Sequence, residues 1–154
     1  METTTQKEIF RTIGEARISY RPTEIPFSTV TCSDDVETFL RQIWDIDTLE
    51  YCESFCVMTL NRANAITSYK IVSTGGSSSV IVDIKIIIQY AILAHASGII
   101  VAHNHPSGNL KPSVADRNLT KKLKNAANTM DIPLLDHIIL TKNEYLSFAD
   151  DGYL

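Results

Sequence analysis

The chain has 154 residues, of which 44% are hydrophobic and 21% charged, and its formal net charge is -4. That is one ordinary domain with enough apolar material for a core, and the acidic balance argues against wide electrostatic attraction to nucleic acid. No window of about twenty apolar residues occurs, as a membrane-spanning helix requires, and Met1–Glu8 carries no apolar signal core, so a cytoplasmic protein is expected.

Residues 2–8 are polar, and Ile9 to Tyr20 alternates weakly (Ala16, Ile18, Tyr20), as one strand would. Arg21 to Pro26 reads as an extended connector, because Pro22 and Pro26 disfavour helix in the residues before them. Ser33 is a good helix N-cap, with Asp34 and Asp35 in the first turn where the helix dipole favours acids. Val36, Phe39, Leu40, Ile43 and Trp44 then fall on one helical face, which predicts a helix to about Asp45.

Glu53 to Leu60 reads as a strand in which Phe55, Val57 and Thr59 alternate against Cys56, Met58 and Leu60. Asn61–Asn64 has turn composition, and Ala65 to Ser73 returns as the second arm of a hairpin. Thr74–Ser79 lacks the Lys-Ser/Thr of a phosphate-binding loop and reads as a connector. Val82 to His95 is apolar on most sides, with Ile84, Ile87, Ile88, Ala91, Ile92 and His95 at helical spacing. It predicts a central, largely buried helix closed by Gly98. His95 is expected at its end as a dipole-favoured or solvent histidine.

Ile99 to Asn104 is a buried strand, and a helix capped by Ser113 runs to about Asn128, with Leu119, Leu123, Ala126 and Ala127 inward. Pro133 breaks the chain. Leu134 to Thr141 and Tyr145 to Phe148 are strands joined by Lys142–Glu144. The order predicts a mixed sheet sandwiched by helices. Cys32, Cys52 and Cys56 are an odd count without a disulfide framework, and Cys52-x3-Cys56 has no zinc-type partner pair. Cys56 is expected to be a buried thiol. The longest local basic patch is Lys121-Lys122 with Lys124, on a helix that also carries Arg117.

The chemistry gathers at Val101-Ala-His-Asn-His-Pro-Ser-Gly-Asn-Leu-Lys-Pro-Ser-Val-Ala-Asp116. His103 and His105 lie two residues apart at the end of a strand, so their side chains share a face and can chelate one ion. Asp116, in the first turn of the following helix, can return as an oxygen ligand. Two His, one carboxylate and an open position make a hydrolytic zinc site, in which bound water becomes a nucleophile near neutral pH. Ser113-x-x-Asp116 alone is an ordinary capping box. It is the whole pattern, His-x-His-x7-Ser-x2-Asp, that is specific.

That pattern resembles the signature of the JAMM (JAB1/MPN/Mov34) metalloproteases. With Pro106-Ser-Gly108, Pro112-Ser-Val-Ala-Asp116 and Leu135-Asp-His-Ile-Ile139, it looks like their bacterial RadC branch, from about Ile25 to the C-terminus. The resemblance implies an extension over 1–24 and a domain over 25–154 of α/β class. Its expected fold is the MPN fold (JAB1-like, cytidine-deaminase-like), a curved mixed sheet flanked by helices. It implies Zn2+ on His103, His105 and Asp116, proton transfer by Glu53 (with Glu50 as nearby competitor), and stabilisation of the tetrahedral intermediate by Ser113. The substrate would be a peptide or isopeptide. Asp136-His137 belongs to the family pattern without being a ligand pair and reads as supporting or structural, while Asn104 and Ser107 could hydrogen-bond in the loop.

The helix-hairpin-helix region usual in RadC proteins is not visible, and Val82-Asp83 stands where the family commonly has Arg-Glu. The alternatives are a DNA-repair or recombination accessory, which the acidic chain disfavours, and a non-catalytic zinc-stabilised binding module. A homodimer stays open. A nucleobase deaminase needs His-x-Glu and a downstream Cys pair, and neither is here.

Overall fold

The computed structural model describes residues 29–75 and 81–154, together with Ser19, Arg21, Glu24 and Ile25. The strand expected over Ile9–Tyr20 lies, apart from Ser19, outside the described residues. Helix α1 spans Ser33–Ile43, and strands β1 (Ser54–Leu60) and β2 (Ile66–Thr74) follow as the expected hairpin. Then come helix α2 (Ile84–Leu93), strand β3 (Gly98–Asn104), helix α3 (Val114–Thr129), and strands β4 (Leu134–Leu140) and β5 (Tyr145–Ser147).

The five strands form one sheet in the order β2-β1-β3-β4-β5. β1 runs antiparallel to both β2 and β3, β3 and β4 are parallel, and β5 is antiparallel to β4. The parallel pair needs a crossover, and α3 supplies it. β1 and β3 are buried along their whole length because both faces are covered.

Strand alternation sorts the core in two. Cys56, Met58, Leu60, Ile100, Ala102, Ile138 and Leu140 pack under Val36, Phe39 and Leu40 of α1. Phe55, Val57, Ile99 and Val101 face the other way, against Ile87 and Ala91 of α2 and Leu123 and Ala127 of α3. The mixed sheet flanked by helices is thus the expected one, and Cys56 is the expected buried thiol, its pKa pushed up to about 12 by burial.

Three local expectations fail for physical reasons. At the start of α1 the cap position belongs to Cys32. The Asp35 carboxylate takes the amides of Thr31 (2.7 Å) and Cys32 (3.2 Å), while Ser33 Oγ donates to Asp150 Oδ2 at 2.6 Å. An acid one turn in replaces the hydroxyl cap.

Gly98 does not close α2. His95 turns the chain out of the helix at φ 52, the left-handed position usually held by glycine, and Ala96 N–H returns to Ala91 O at 3.0 Å. Gly98 is the first residue of β3, facing Leu135.

Nor is α2 central. Only Ile87 and Ala91 are fully buried, while Ile86, Ile92 and Leu93 are 42%, 45% and 41% exposed. The helix is an outer layer with one side on the sheet. Ile84, Ile88, Ile92, Leu93, Ala126 and Met130 line an apolar groove between it and α3.

Candidate metal centre

β3 ends with His103 on the α2/α3 face of the sheet and Asn104 on the α1 face, as alternation requires. His105 follows two residues on, returning to the face of His103, and its backbone N–H is held by Leu140 O at 2.9 Å. The short loop to α3, with Gly108 at φ 77, brings the helix N-terminus back over the two imidazoles. The site lies at the carboxyl ends of the parallel pair, where such sheets commonly bind ligands.

One donor atom from each of His103, His105 and Asp116 lies within 4.8 Å of the others. His103 Nε2 is 3.0 Å from His105 Nε2, Asp116 Oδ1 is 3.4 Å from His103 Nε2, and Asp116 Oδ2 is 3.6 Å from His105 Nε2. A tetrahedral zinc site with bonds of about 2.0–2.1 Å has ligand-to-ligand edges of about 3.3 Å. The three edges fall around that length, so the donor set fits one divalent cation, with His2Asp chemistry suited to zinc.

The ligand rings are held from behind. His105 Nδ1 donates to Asn109 O at 2.5 Å, which leaves Nε2 bare on the site side. His103 Nδ1 lies 2.8 Å from Nε2 of His137, and Phe55 stacks on the His103 ring at 6.0 Å. His137 is wholly buried, its ring stacked on Phe148 at 4.6 Å, and its Nδ1 lies 2.6 Å from Thr120 Oγ1.

Burial pushes the His137 pKa well below the ordinary histidine value, and the neighbouring His103 adds to that. Its chain neighbour Asp136 points to the opposite face. There its carboxylate accepts from Ser147 Oγ (2.6 Å) and the amides of Ala149 (3.0 Å) and His137 (2.7 Å). Only His137 of the pair therefore faces the site.

Ser113 and Asp116 form the capping box of α3. Asp116 N–H donates to Ser113 Oγ at 3.1 Å, and Ser113 N–H donates to Asp116 Oδ2 at 2.7 Å. Ser113 is exposed at the rim with its oxygen used as acceptor, so the cap does not use its hydroxyl proton. For Asp116, burial works to raise the pKa, but the adjoining imidazoles of His103 and His105 and the contact with Ser113 overturn it and hold the carboxylate well below the usual range. His105 is raised chiefly by its bond to Asp116.

Glu53 immediately precedes β1 and is 8% exposed. Phe55 stands opposite His103. Glu53 stands two residues before Phe55, and the charges of His103, His105 and Asp116 all bear on it. Burial raises its pKa, and the charges of His103 and His105 pull it partly back. Glu50, the competitor, is 58% exposed and paired with Lys142 at 2.6 Å.

Asn104 holds the approach to Glu53. Its Oδ1 accepts Ser54 N–H at 2.7 Å, and its Nδ2 donates to Leu49 O (2.7 Å) and Cys52 O (2.9 Å). Ser107 only takes the amide of Asn109, at 3.4 Å. Thr120 went unread in the sequence, since a mid-helix threonine gives no sign of its partner.

Residues 30–153 match the family model described as the RadC-like JAB domain. Among curated proteins, the chain is 41% identical over 123 residues to a UPF0758 protein of Flavobacterium johnsoniae, covering 80% of this chain and 52% of that protein. A UPF0758 protein of Salinibacter ruber is 40% identical over 126 residues, covering 81% and 52%. One of Aquifex aeolicus is 35% identical over 141 residues, covering 92% and 55%. The chain spans about half the length of these relatives. No helix among the described residues is long and apolar enough to cross a membrane.

Proposed function

The chain belongs to the RadC-like JAB domain family, and from that premise we propose that it is a zinc-dependent hydrolase of peptide or isopeptide bonds. The observation that carries this reading is the convergence of His103 Nε2, His105 Nε2 and the Asp116 carboxylate within 4.8 Å. Both imidazoles are supported from their far sides, and Glu53 is buried where the charges of His103, His105 and Asp116 reach it.

Zinc, when bound, supplies a Lewis acid and makes water acidic enough to attack near neutral pH. His103, His105 and Asp116 hold it. Glu53 takes the proton of the attacking water and passes it to the leaving amine, a task that suits a carboxyl whose pKa is raised by burial. Ser113, whose oxygen is occupied by the helix cap, turns its hydroxyl proton toward the oxyanion that develops on the scissile carbonyl.

The test is metal content and cleavage together. Wild-type protein should carry about one zinc per chain, and His103→Ala/His105→Ala should lose it while staying folded. A library of peptides and isopeptides should be cleaved by wild type and not by Glu53→Gln. If zinc binds but Glu53→Gln and wild type are equally inert, the hydrolase reading fails and a metal-stabilised binding module takes its place.

A further inference from the structure

Behind His103 runs a chain of hydrogen bonds whose direction is set by a group that can only accept. Thr120 Oγ1 lies 2.7 Å from the backbone oxygen of Asp116, one turn earlier in α3. A carbonyl has no proton to give, so the single hydroxyl proton of Thr120 is committed there. At its other contact, 2.6 Å from His137 Nδ1, Thr120 must therefore accept, and His137 carries its proton on Nδ1.

A neutral imidazole protonated on Nδ1 is an acceptor at Nε2. His137 Nε2 lies 2.8 Å from His103 Nδ1, so His103 donates and its own proton sits on Nδ1. What remains on His103 is the Nε2 lone pair, aimed at His105 Nε2 and Asp116 Oδ1. We propose that His137 and Thr120 are positioning residues that lock His103 in the form whose Nε2 faces the metal site as a bare donor.

The inference rests on the metal-site reading above and extends it beyond the ligands. The reverse chain fails at one point. Were His137 protonated on Nε2, Thr120 would have to donate to its Nδ1. Two proton-less oxygens would then stand 2.7 Å apart inside α3, and His103 would carry its proton on Nε2, blocking the site. The last carbonyl in the chain belongs to Asp116, itself in the donor set, so one turn of α3 supplies both a donor to the site and the anchor that orients another.

The experiment reads the tautomers directly, by long-range proton–nitrogen NMR of the full chain labelled with nitrogen-15 in histidine, metal-free and with zinc. His137 should be Nδ1-protonated in both states. Thr120→Val is nearly isosteric and removes the acceptor. It should move the His137 proton to Nε2 and weaken zinc binding, measured by chelator competition, about 10- to 100-fold.

Thr120→Ser keeps the hydroxyl and should keep both the tautomer and the affinity, a rescue that a packing role for the threonine methyl would not give. A wild-type His137 protonated on Nε2 overturns the proposal, as does a Thr120→Val variant with unchanged tautomer and zinc affinity. If Thr120→Val does not fold, the wild-type tautomer still decides. Wild type that takes up no zinc while His137 is Nδ1-protonated defeats the hydrolase reading and leaves the direction of the chain standing.

Discussion

Asp116 Oδ2 accepts the backbone N–H of Ser113 at 2.7 Å while Oδ1 of the same carboxylate lies 3.4 Å from His103 Nε2. One side chain thus starts α3 and completes the donor triad, so the helix cap and the triad are a single construction. Its two uses can be pulled apart by substitution.

Asp116→Asn keeps an acceptor for the Ser113 amide but removes the charge. It should lose most zinc affinity, and it should also lower the stability of the metal-free protein, because the carboxylate is held well below its usual pKa there. Asp116→Ala loses the cap as well and should cost a further ~1 kcal/mol. Equal stability loss in both variants would separate the carboxylate from the cap.

Asn104 ties three backbone groups of the segment leading to Glu53 with one buried amide. Asn104→Ala leaves them unpaired, and buried groups without partners cost about 1–3 kcal/mol. Asn104→Asp keeps the bond to Ser54 N–H but turns a carboxylate oxygen toward the carbonyls of Leu49 and Cys52, so it should be at least as damaging at neutral pH. Urea unfolding of both variants measures this. A neutral Asn104→Ala would mean that water replaces the clamp.

Asp136 gives a pH dependence whose sign can be worked out. Burial raises its pKa above the ordinary 3.8, despite bonds from Ser147, Ala149 and His137. The folded state therefore holds this proton more tightly than the unfolded state. The group's contribution is most favourable below 3.8 and is lost as pH rises through its higher folded value. Asp136→Asn carries no such titration, so the variant should gain on wild type as pH rises from 3.8 through the mildly acidic range. Parallel urea midpoints across that range would show that the carboxyl is not raised.

Much of this was legible in the sequence, and the illegible part has a common cause. The period of two in Phe55, Val57 against Cys56, Met58 assigned both core faces, because a strand's geometry leaves no other choice. His103, His105 and Asp116 lie within fourteen consecutive positions, so a strand, a turn and a helix start bring them together by local rules.

The bond from His137 to His103 joins parallel strands across a whole helix. In the sheet, His137 pairs with Val101, and its ring reaches diagonally to His103. Nothing local in Leu135–Ile139 announces that register. The same limit misplaced α2. Ile87 and Ile92 both belong to the helical stripe, yet one is fully buried and the other 45% exposed, and only the position of the sheet distinguishes them.

The end of α2 is where sequence and structure part most sharply, and it yields the last prediction. If Gly98 terminated the helix in a left-handed turn, Gly98→Ala would cost about 1 kcal/mol or more. In the structure that turn is made by His95, at φ 52. A Cβ at position 98 would instead meet Leu135, 3.0 Å from Cδ1 and 3.3 Å from Cγ, on a side chain that is 39% exposed. Gly98→Ala should therefore change stability by no more than about 0.5 kcal/mol. His95→Gly relieves a strained backbone and should stabilise by about 0.5–1 kcal/mol, even after the extra freedom glycine gives the unfolded chain. Thermal unfolding of the two variants decides between the two ends. A costly Gly98→Ala together with a destabilising His95→Gly would return the helix terminus to Gly98.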